Sequence, residues 1–265
     1  MNKNRTILIT SCKGGVGKST IAANLGFALA KQGQKTLIID FDLGNRSLDL
    51  ILGWENHVLY DFCDIALERI GADKAIIPDK RSPNLFFCPA PAQYKGELDE
   101  KLVKTAIENI HKAHTFDFIL IDTSGGADKS VFLSAPLCQE AIIVTSQQPI
   151  SIRAAEKSGV ILDEYGIGEQ YLVINCFGDR PRSANRMSII EIIDATRTPI
   201  IGVVPYEQRL MLRQEQSILA GEVTEKSRAT NASAAFNNIA KRLLCERVPL
   251  FCGFKRTNRK KLIKY

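Results

Sequence analysis

Between Cys12 and Thr20 the chain reads C-K-G-G-V-G-K-S-T, a spacing of glycines, lysine and hydroxyls suited to the phosphates of a nucleotide. Gly14, Gly15 and Gly17, with Val16 between them, let backbone N–H groups turn inward onto phosphate oxygens. A helix starting just after them adds the partial positive charge of its first turn. Lys18 is then placed to reach the β- and γ-phosphates, and the Ser19 hydroxyl to ligate Mg²⁺. The strict pattern G-x-x-x-x-G-K-[ST] fails at one position, because Cys12 stands where the first glycine belongs. A merely flexible turn would use the glycines but would need neither the lysine nor the hydroxyl. A carboxylate to share the metal is found further on. Asp122 closes the apolar run Phe118 to Ile121, the arrangement in which an Asp holds Mg²⁺, often through water.

These groups act together only if parallel strands bring them to one edge of a sheet. The β-branched run Thr6 to Thr10 predicts a buried strand, and Ile21, Leu25, Ala28 and Leu29 mark the apolar face of the helix that follows. Gly33 stops that helix, and Thr36 to Ile39 predict a second strand running into Asp40-Phe41-Asp42. In open α/β sheets ligands bind beyond the carboxyl ends of the strands, so both acids fall near the phosphates. Residues 61–77 read as helix and connector, and Asn84 to Cys88 as a strand stopped by Pro89 and Pro91. Leu98, Leu102, Ala106, Ile107 and Ile110 predict a helix. Strands then alternate with helices: Ala141–Thr145 and Ile152–Tyr165, Tyr171–Asn175 and Met187–Ala195, Ile200–Val204 and helices over 207–220 and 230–246. The expected fold is α/β, a single domain over 1–247 with a doubly wound, mostly parallel sheet and helices on both faces.

The run K-G-G-V-G-K-S, with its early Lys13, resembles the deviant Walker A group of P-loop NTPases, the MinD/ParA family. That family includes division-site ATPases of the MinD branch, DNA-partition ATPases and the nitrogenase iron protein. The segment after the second strand narrows the likeness to the MinD branch through Gly44, Arg46, Leu48, Asp49 and Leu50, then Tyr60-Asp61-Phe62 and D-K-R-S-P-N-L-F-F-C-P-A from Asp79. Partition ATPases normally lack this stretch. Two departures stand out: Ser47, where the branch commonly has Asn, and Thr123-Ser124-Gly125-Gly126, where x-P-A-G is usual. The extra glycine still suits a loop facing the γ-phosphate.

The resemblance implies ATP and Mg²⁺ as cofactors and a slow ATPase that works as an ATP-dependent homodimer. Lys13 would reach across the dimer to the partner's nucleotide, Asp42 would orient water, and Asp40 would neighbour the metal. Asn175 with Pro205 and Glu207 matches where the family contacts adenine, although Asn175 capping a turn and Pro205 ending a strand explain the same residues. It further implies residence on the cytoplasmic face of the cell membrane, septum placement, and protein partners like MinC and MinE. Other outputs fit the same site: a partition ATPase binding DNA, a flagellar-number regulator, or an ATP-driven electron carrier. The last needs a cysteine setting that is not found around Cys88 or Cys138.

Composition sets the remaining bounds. Over 265 residues, 45% apolar and 24% charged content is ordinary for a soluble domain able to bury a sizeable core. No apolar run approaches the ~20 residues of a membrane span, and the opening M-N-K-N-R-T-I-L-I-T is too short in apolar residues for a signal peptide, which predicts a cytoplasmic protein. The 7 cysteines are scattered without a C-x-x-C pair, as small buried hydrophobes would be. Cys12 is the exception in setting, since loop amides, Lys13 and Lys18 surround it; it is either a reactive thiol or an inert filler. The formal charge of +6 lies wholly in the tail, where Lys255, Arg256, Arg259, Lys260, Lys261 and Lys264 meet no acidic residue. On a helical wheel Leu250, Phe251, Phe254, Leu262 and Tyr265 share a sector of about 120°. Residues 248–265 are thus a basic, weakly amphipathic segment for an anionic membrane surface, or else a solvated basic tail.

Overall fold

A computed structural model of the protein describes residues 4–43, 45–178, 186–223 and 230–250. β1 (Arg5–Thr10) is buried from Thr6 onward and feeds two cores at once. Ile7 and Ile9 pack with α1 (Lys18–Lys31), while Leu8 packs on the opposite layer. Successive strand side chains point to opposite faces, so an unbroken apolar run is what a strand covered on both sides requires. β2 (Thr36–Phe41) divides likewise, with Ile38 toward α1 and Leu37, Ile39 and Phe41 toward the other core. The short helices α2 (Leu48–Leu52), α3 (Phe62–Ala66) and α4 (Ala72–Ala75) follow, then β3 (Ile77–Pro78) and β4 (Leu85–Cys88). Next come α5 (Glu100–Ala113), β5 (Phe118–Thr123), α6 (Lys129–Ser134), β6 (Glu140–Thr145), α7 (Pro149–Glu164) and β7 (Glu169–Phe177). α8 (Ile189–Thr196), β8 (Ile200–Pro205), α9 (Gln208–Gln214) and α10 (Ala232–Leu243) complete the described elements.

The sheet runs β3-β4-β2-β5-β1-β6-β7-β8, parallel throughout except for the antiparallel β3–β4 pair. Helices α1, α2, α9 and α10 supply one core, and α3 to α8 the other. The chain is therefore the doubly wound α/β domain that the alternation predicts. β1 sits between β5 and β6, while the strand that follows it, β2, lies beyond β5. That reversal of strand order opens a crevice at the carboxyl end of β1, where such sheets bind ligands.

Several boundaries differ from expectation for identifiable reasons. The helix marked from Leu98 starts at Glu100, because Asp99 caps it by accepting the Leu102 amide at 2.8 Å. Residues 61–77 form two short helices, the first fixed by a reciprocal capping box between Asp61 and Asp64. The helix expected over 207–220 ends at Gln214. Ser217 takes a left-handed φ of 55° and donates its hydroxyl to the Leu50 carbonyl at 2.7 Å, turning the chain toward α2. α6 and β3, both short, were not signalled by periodicity. Val248 and Pro249 accept bonds from Arg242 and Asn238 of α10, and Leu250 packs against the core. The tail from Phe251 to Tyr265 lies outside the described residues, as does Gly44.

Candidate functional site

The loop from Ser11 to Gly17 is shaped by its glycines. Gly15 and Gly17 hold φ of 75° and 93°, the left-handed region that side chains resist. Gly17 is also the N-cap of α1, and neither a capping side chain nor an acidic residue covers that helix's first turn. Its open N–H groups and positive dipole end are a ready cradle for an anion. Asn175, at the end of β7, is buried and donates its amide to the Val16 carbonyl at 2.9 Å. A Cβ on Gly17 would lie 2.3 Å from that Asn175 nitrogen, so the position admits only glycine twice over. Asn175 thus braces the phosphate loop, a contact that the sequence does not signal. Cys12 is half-buried, and its amide donates to the Ser158 hydroxyl at 2.9 Å.

Two carboxylates face this loop. Asp40 and Asp122 lie side by side in the β2–β5 register, both fully buried. Asp40 accepts the amides of Asp42 at 3.0 Å, Ser47 at 3.3 Å and Leu48 at 3.1 Å. It therefore shapes the 42–48 loop and anchors the start of α2, a role that no linear motif marks. Burial nonetheless pushes its pKa up to about 7 against those amide bonds. Asp122 is more extreme: neither oxygen has a hydrogen-bond partner of good geometry. Burial and then the Asp40 charge raise its pKa well above the carboxylate range, against the pull of Ser19 and Lys18. An orphaned, buried carboxylate at this edge calls for a cation. Ser19, whose hydroxyl lies 3.0 Å from that of Ser47, stands on the first turn of α1 beside it. Among the described residues no group of three or more His, Cys, Asp or Glu forms a metal cage. One hydroxyl and one carboxylate suit Mg²⁺, which completes its shell with phosphate oxygens and water.

The loop after β5 closes over the phosphate loop. The Gly126 amide donates to the Ser11 carbonyl at 3.1 Å. A Cβ on Gly125 would stand 2.6 Å from Gly14 Cα and 3.4 Å from Lys18 Nζ, so only glycine permits this approach. Ser124 hydrogen-bonds Asp128, the cap of α6, which in turn holds the Ser130 amide at 3.1 Å. The departure T-S-G-G therefore builds a tied loop against the glycine loop of residues 11–18. Lys13 is engaged within its own chain, where Nζ donates to Gln148 Oε1 and Ser151 Oγ, each at 2.9 Å. Service to a second subunit requires exchanging those bonds. Thr20 donates to Gln214 of α9 at 2.9 Å. Pro205 ends β8, and Glu207 caps α9 while accepting the Ala232 amide at 3.1 Å, which ties α9 to α10. Gln148, Ser151 and Gln214 carry no sequence signal, since isolated polar residues at element ends are common.

Phosphoryl transfer to water needs positioning and charge stabilisation more than covalent help. Loop amides and Lys18 are the groups that would neutralise phosphate oxygens, and Ser19 and Asp122 those that would hold Mg²⁺. When bound, Mg²⁺ would supply charge neutralisation at the phosphates. Asp42, whose amide is fixed on Asp40, stands at the mouth of this crevice.

A pH dependence follows from the carboxylates. Raised values mean that without a cation the folded chain binds protons that the unfolded chain releases near ~4. The Asp40 contribution to stability is full below that point and is lost as pH rises through about 7. A bound cation reverses the balance by favouring the ionised forms. Mg·ATP affinity is therefore expected to rise between pH 6 and 8, steepest below 7, by up to ~10-fold per pH unit for each proton released. Titration with a fluorescent ATP analogue at pH 6, 7 and 8 checks this, and an affinity falling with pH contradicts it.

Comparison with known proteins agrees with this geometry. The ParA family model, described as NUBPL iron-transfer P-loop NTPase, matches residues 2–244. A septum site-determining protein MinD from Synechocystis is 35% identical over 249 residues, covering 93% of this chain and 91% of that protein. The Aquifex aeolicus MinC:MinD cell division complex contains a chain matched with a TM-score of 0.83 at 33% identity, over 93% of this chain and 98% of that one. Pyrococcus horikoshii MinD complexed with Mg-ADP is matched at 0.75 and 26% identity, over 91% and 96%. With near-complete coverage, and the cradle, the orphaned Asp122 and the early Lys13 all present, the chain belongs to the MinD branch of the ParA family of P-loop ATPases.

Proposed function

We propose that the chain is a membrane-associated switch that places the division septum. ATP with Mg²⁺ occupies the cradle of Cys12 to Thr20, and two chains join across it, each lending Lys13 to the other's nucleotide. Asp42 orients the attacking water, and slow hydrolysis returns the monomers. The observation that carries the reading is the orphaned Asp122 carboxylate beside the uncapped start of α1, a site that is incomplete without a cation and an anion. The dimer presents a surface for partners of the MinC and MinE kind, a reading supported by the Aquifex aeolicus MinC:MinD complex among the structural matches.

Membrane residence rests on the basic tail. Six basic residues near an anionic leaflet contribute at most ~6 kcal/mol, at ~1 kcal/mol each, before ordering costs. Leu250 belongs to the apolar stripe but packs against the body, which leaves four residues of that stripe for insertion. One such tail is marginal, and stable anchoring needs a second signal. Dimerisation supplies a second tail, and avidity converts nucleotide state into membrane residence. The test is cosedimentation with anionic liposomes, and separately with DNA, comparing ATP with ADP and the full chain with one ending at Arg247. ATP-dependent pelleting with liposomes, lost on truncation, is expected. Truncation without effect on liposomes, together with strong ATP-dependent DNA binding, overturns the reading in favour of partition.

A further inference from the structure

The D-K-R-S segment that marks the MinD branch takes no part in the phosphate cradle, yet its side chains form a buried bridge. Asp79 and Arg81 pair in a fork, Nε to Oδ1 at 2.7 Å and Nη2 to Oδ2 at 2.5 Å. Asp79 is buried, which alone would raise its pKa, but the Arg81 bonds and charge outweigh that and hold it low. The guanidinium has donors to spare, and it uses them on two other segments. Nη2 donates to the Leu52 carbonyl at the end of α2 at 2.7 Å, and Nη1 to the Ser217 carbonyl beyond α9 at 3.1 Å. Ser217 adds its own hydroxyl bond to Leu50 of α2, and the Trp54 indole donates to Asp79 at 3.2 Å.

Followed outward, these contacts close a ring. From Leu52, α2 runs back to Ser47, whose hydroxyl meets Ser19. From Ser217, the chain runs back to Gln214, which accepts from Thr20. Ser19 and Thr20 are adjacent on the first turn of α1. The ring therefore starts and ends on the turn that cradles phosphate, and Arg81 is the link farthest from it. α2 is only five residues long, so it acts as a short stiff lever. Its Leu52 end is joined through this one short helix to Ser47, whose amide is held by the same Asp40 that holds the Asp42 amide.

We infer that Arg81 is a positioning residue for ATP hydrolysis, strapping α2 to the chain beyond α9 so that Ser47, and with it Asp42 on the shared Asp40 anchor, keeps its place beside the phosphate cradle. The inference rests on the reading of that cradle as a Mg·ATP site. It predicts that Arg81 matters to turnover more than to nucleotide binding, because the cradle itself is made by residues 12–20. A lysine cannot replace it, since a single ammonium lacks the fork that binds a carboxylate and two carbonyls together.

The test compares Arg81→Lys with the parent in steady-state hydrolysis, in binding of a fluorescent ATP analogue, and in Trp54 emission. Trp54 is the single tryptophan of the chain, and it is bonded to the strap. The expected result is a kcat about 10-fold lower, with KM and analogue affinity within about threefold of the parent; each tenfold corresponds to ~1.4 kcal/mol. In the parent, Trp54 emission differs between saturating Mg·ATP and Mg·ADP, and Arg81→Lys abolishes that difference. Ser217→Gly, which keeps the left-handed turn and removes only the hydroxyl bond to Leu50, is expected to lower kcat by about threefold in the same sense. It carries the test alone should Arg81→Lys not fold. Parental kcat and parental Trp54 response in either folded variant overturn the inference. A parent that neither binds nor hydrolyses ATP would instead overturn the reading of the cradle, so the two failures are distinct.

Discussion

Replacing Lys18 with alanine is expected to weaken ATP binding by at least about 100-fold, or ~2.7 kcal/mol. The ammonium is buried to 7% exposure among the loop glycines, next to two buried carboxylates. A charge-assisted bond to phosphate in such a place is worth ~1.5–3 kcal/mol, and its loss also leaves phosphate charge facing Asp40 and Asp122 uncompensated. Titration with a fluorescent ATP analogue reads the loss directly. Affinity within threefold of the parent would mean that the phosphates sit elsewhere.

Lys13→Ala should behave differently. Its ammonium lies at the mouth of the loop, bonded to Gln148 and Ser151 of its own chain rather than directed into the cradle. ATP affinity is therefore expected to stay within about threefold of the parent. Turnover should fall by roughly 10³, the lower end of what a positive charge supplied in trans contributes to phosphoryl transfer. Stopped assays of phosphate release, run beside the binding titration, separate the two effects. Parallel loss of binding and turnover would assign Lys13 to its own chain's nucleotide instead.

The two lysines also show where linear sequence suffices. Lys18 and Ser19 follow a glycine loop at fixed spacing between a strand and a helix, and local geometry alone determines where they point. The strands β1, β2 and β5 were legible for a similar reason: buried on both faces, they appear as continuous apolar runs, and they end at Thr10, Phe41 and Thr123. The partners of these residues were not legible. Nothing in the spacing pairs Lys13 with Ser151 or Asn175 with the Val16 carbonyl, since the sheet order brings together residues more than 100 positions apart. Asp40 reads as an acid near a metal, and nothing in the spacing shows that it also holds the amides of Asp42, Ser47 and Leu48. The stop of α9 at Gln214 was hidden because Ser217 turns the chain for a bond to Leu50, 167 positions away. Local propensity cannot report a contact of that separation.

We propose that ATP, and not ADP, joins two chains through Lys13. Light scattering on a gel-filtration column measures this with the full chain in Mg·ATP, in Mg·ADP, and as Lys13→Ala in Mg·ATP. Twice the single-chain mass is expected for the parent with ATP, and the single-chain mass in both other cases. A parent that runs as one chain with ATP, or a Lys13→Ala variant that dimerises as the parent does, would contradict it.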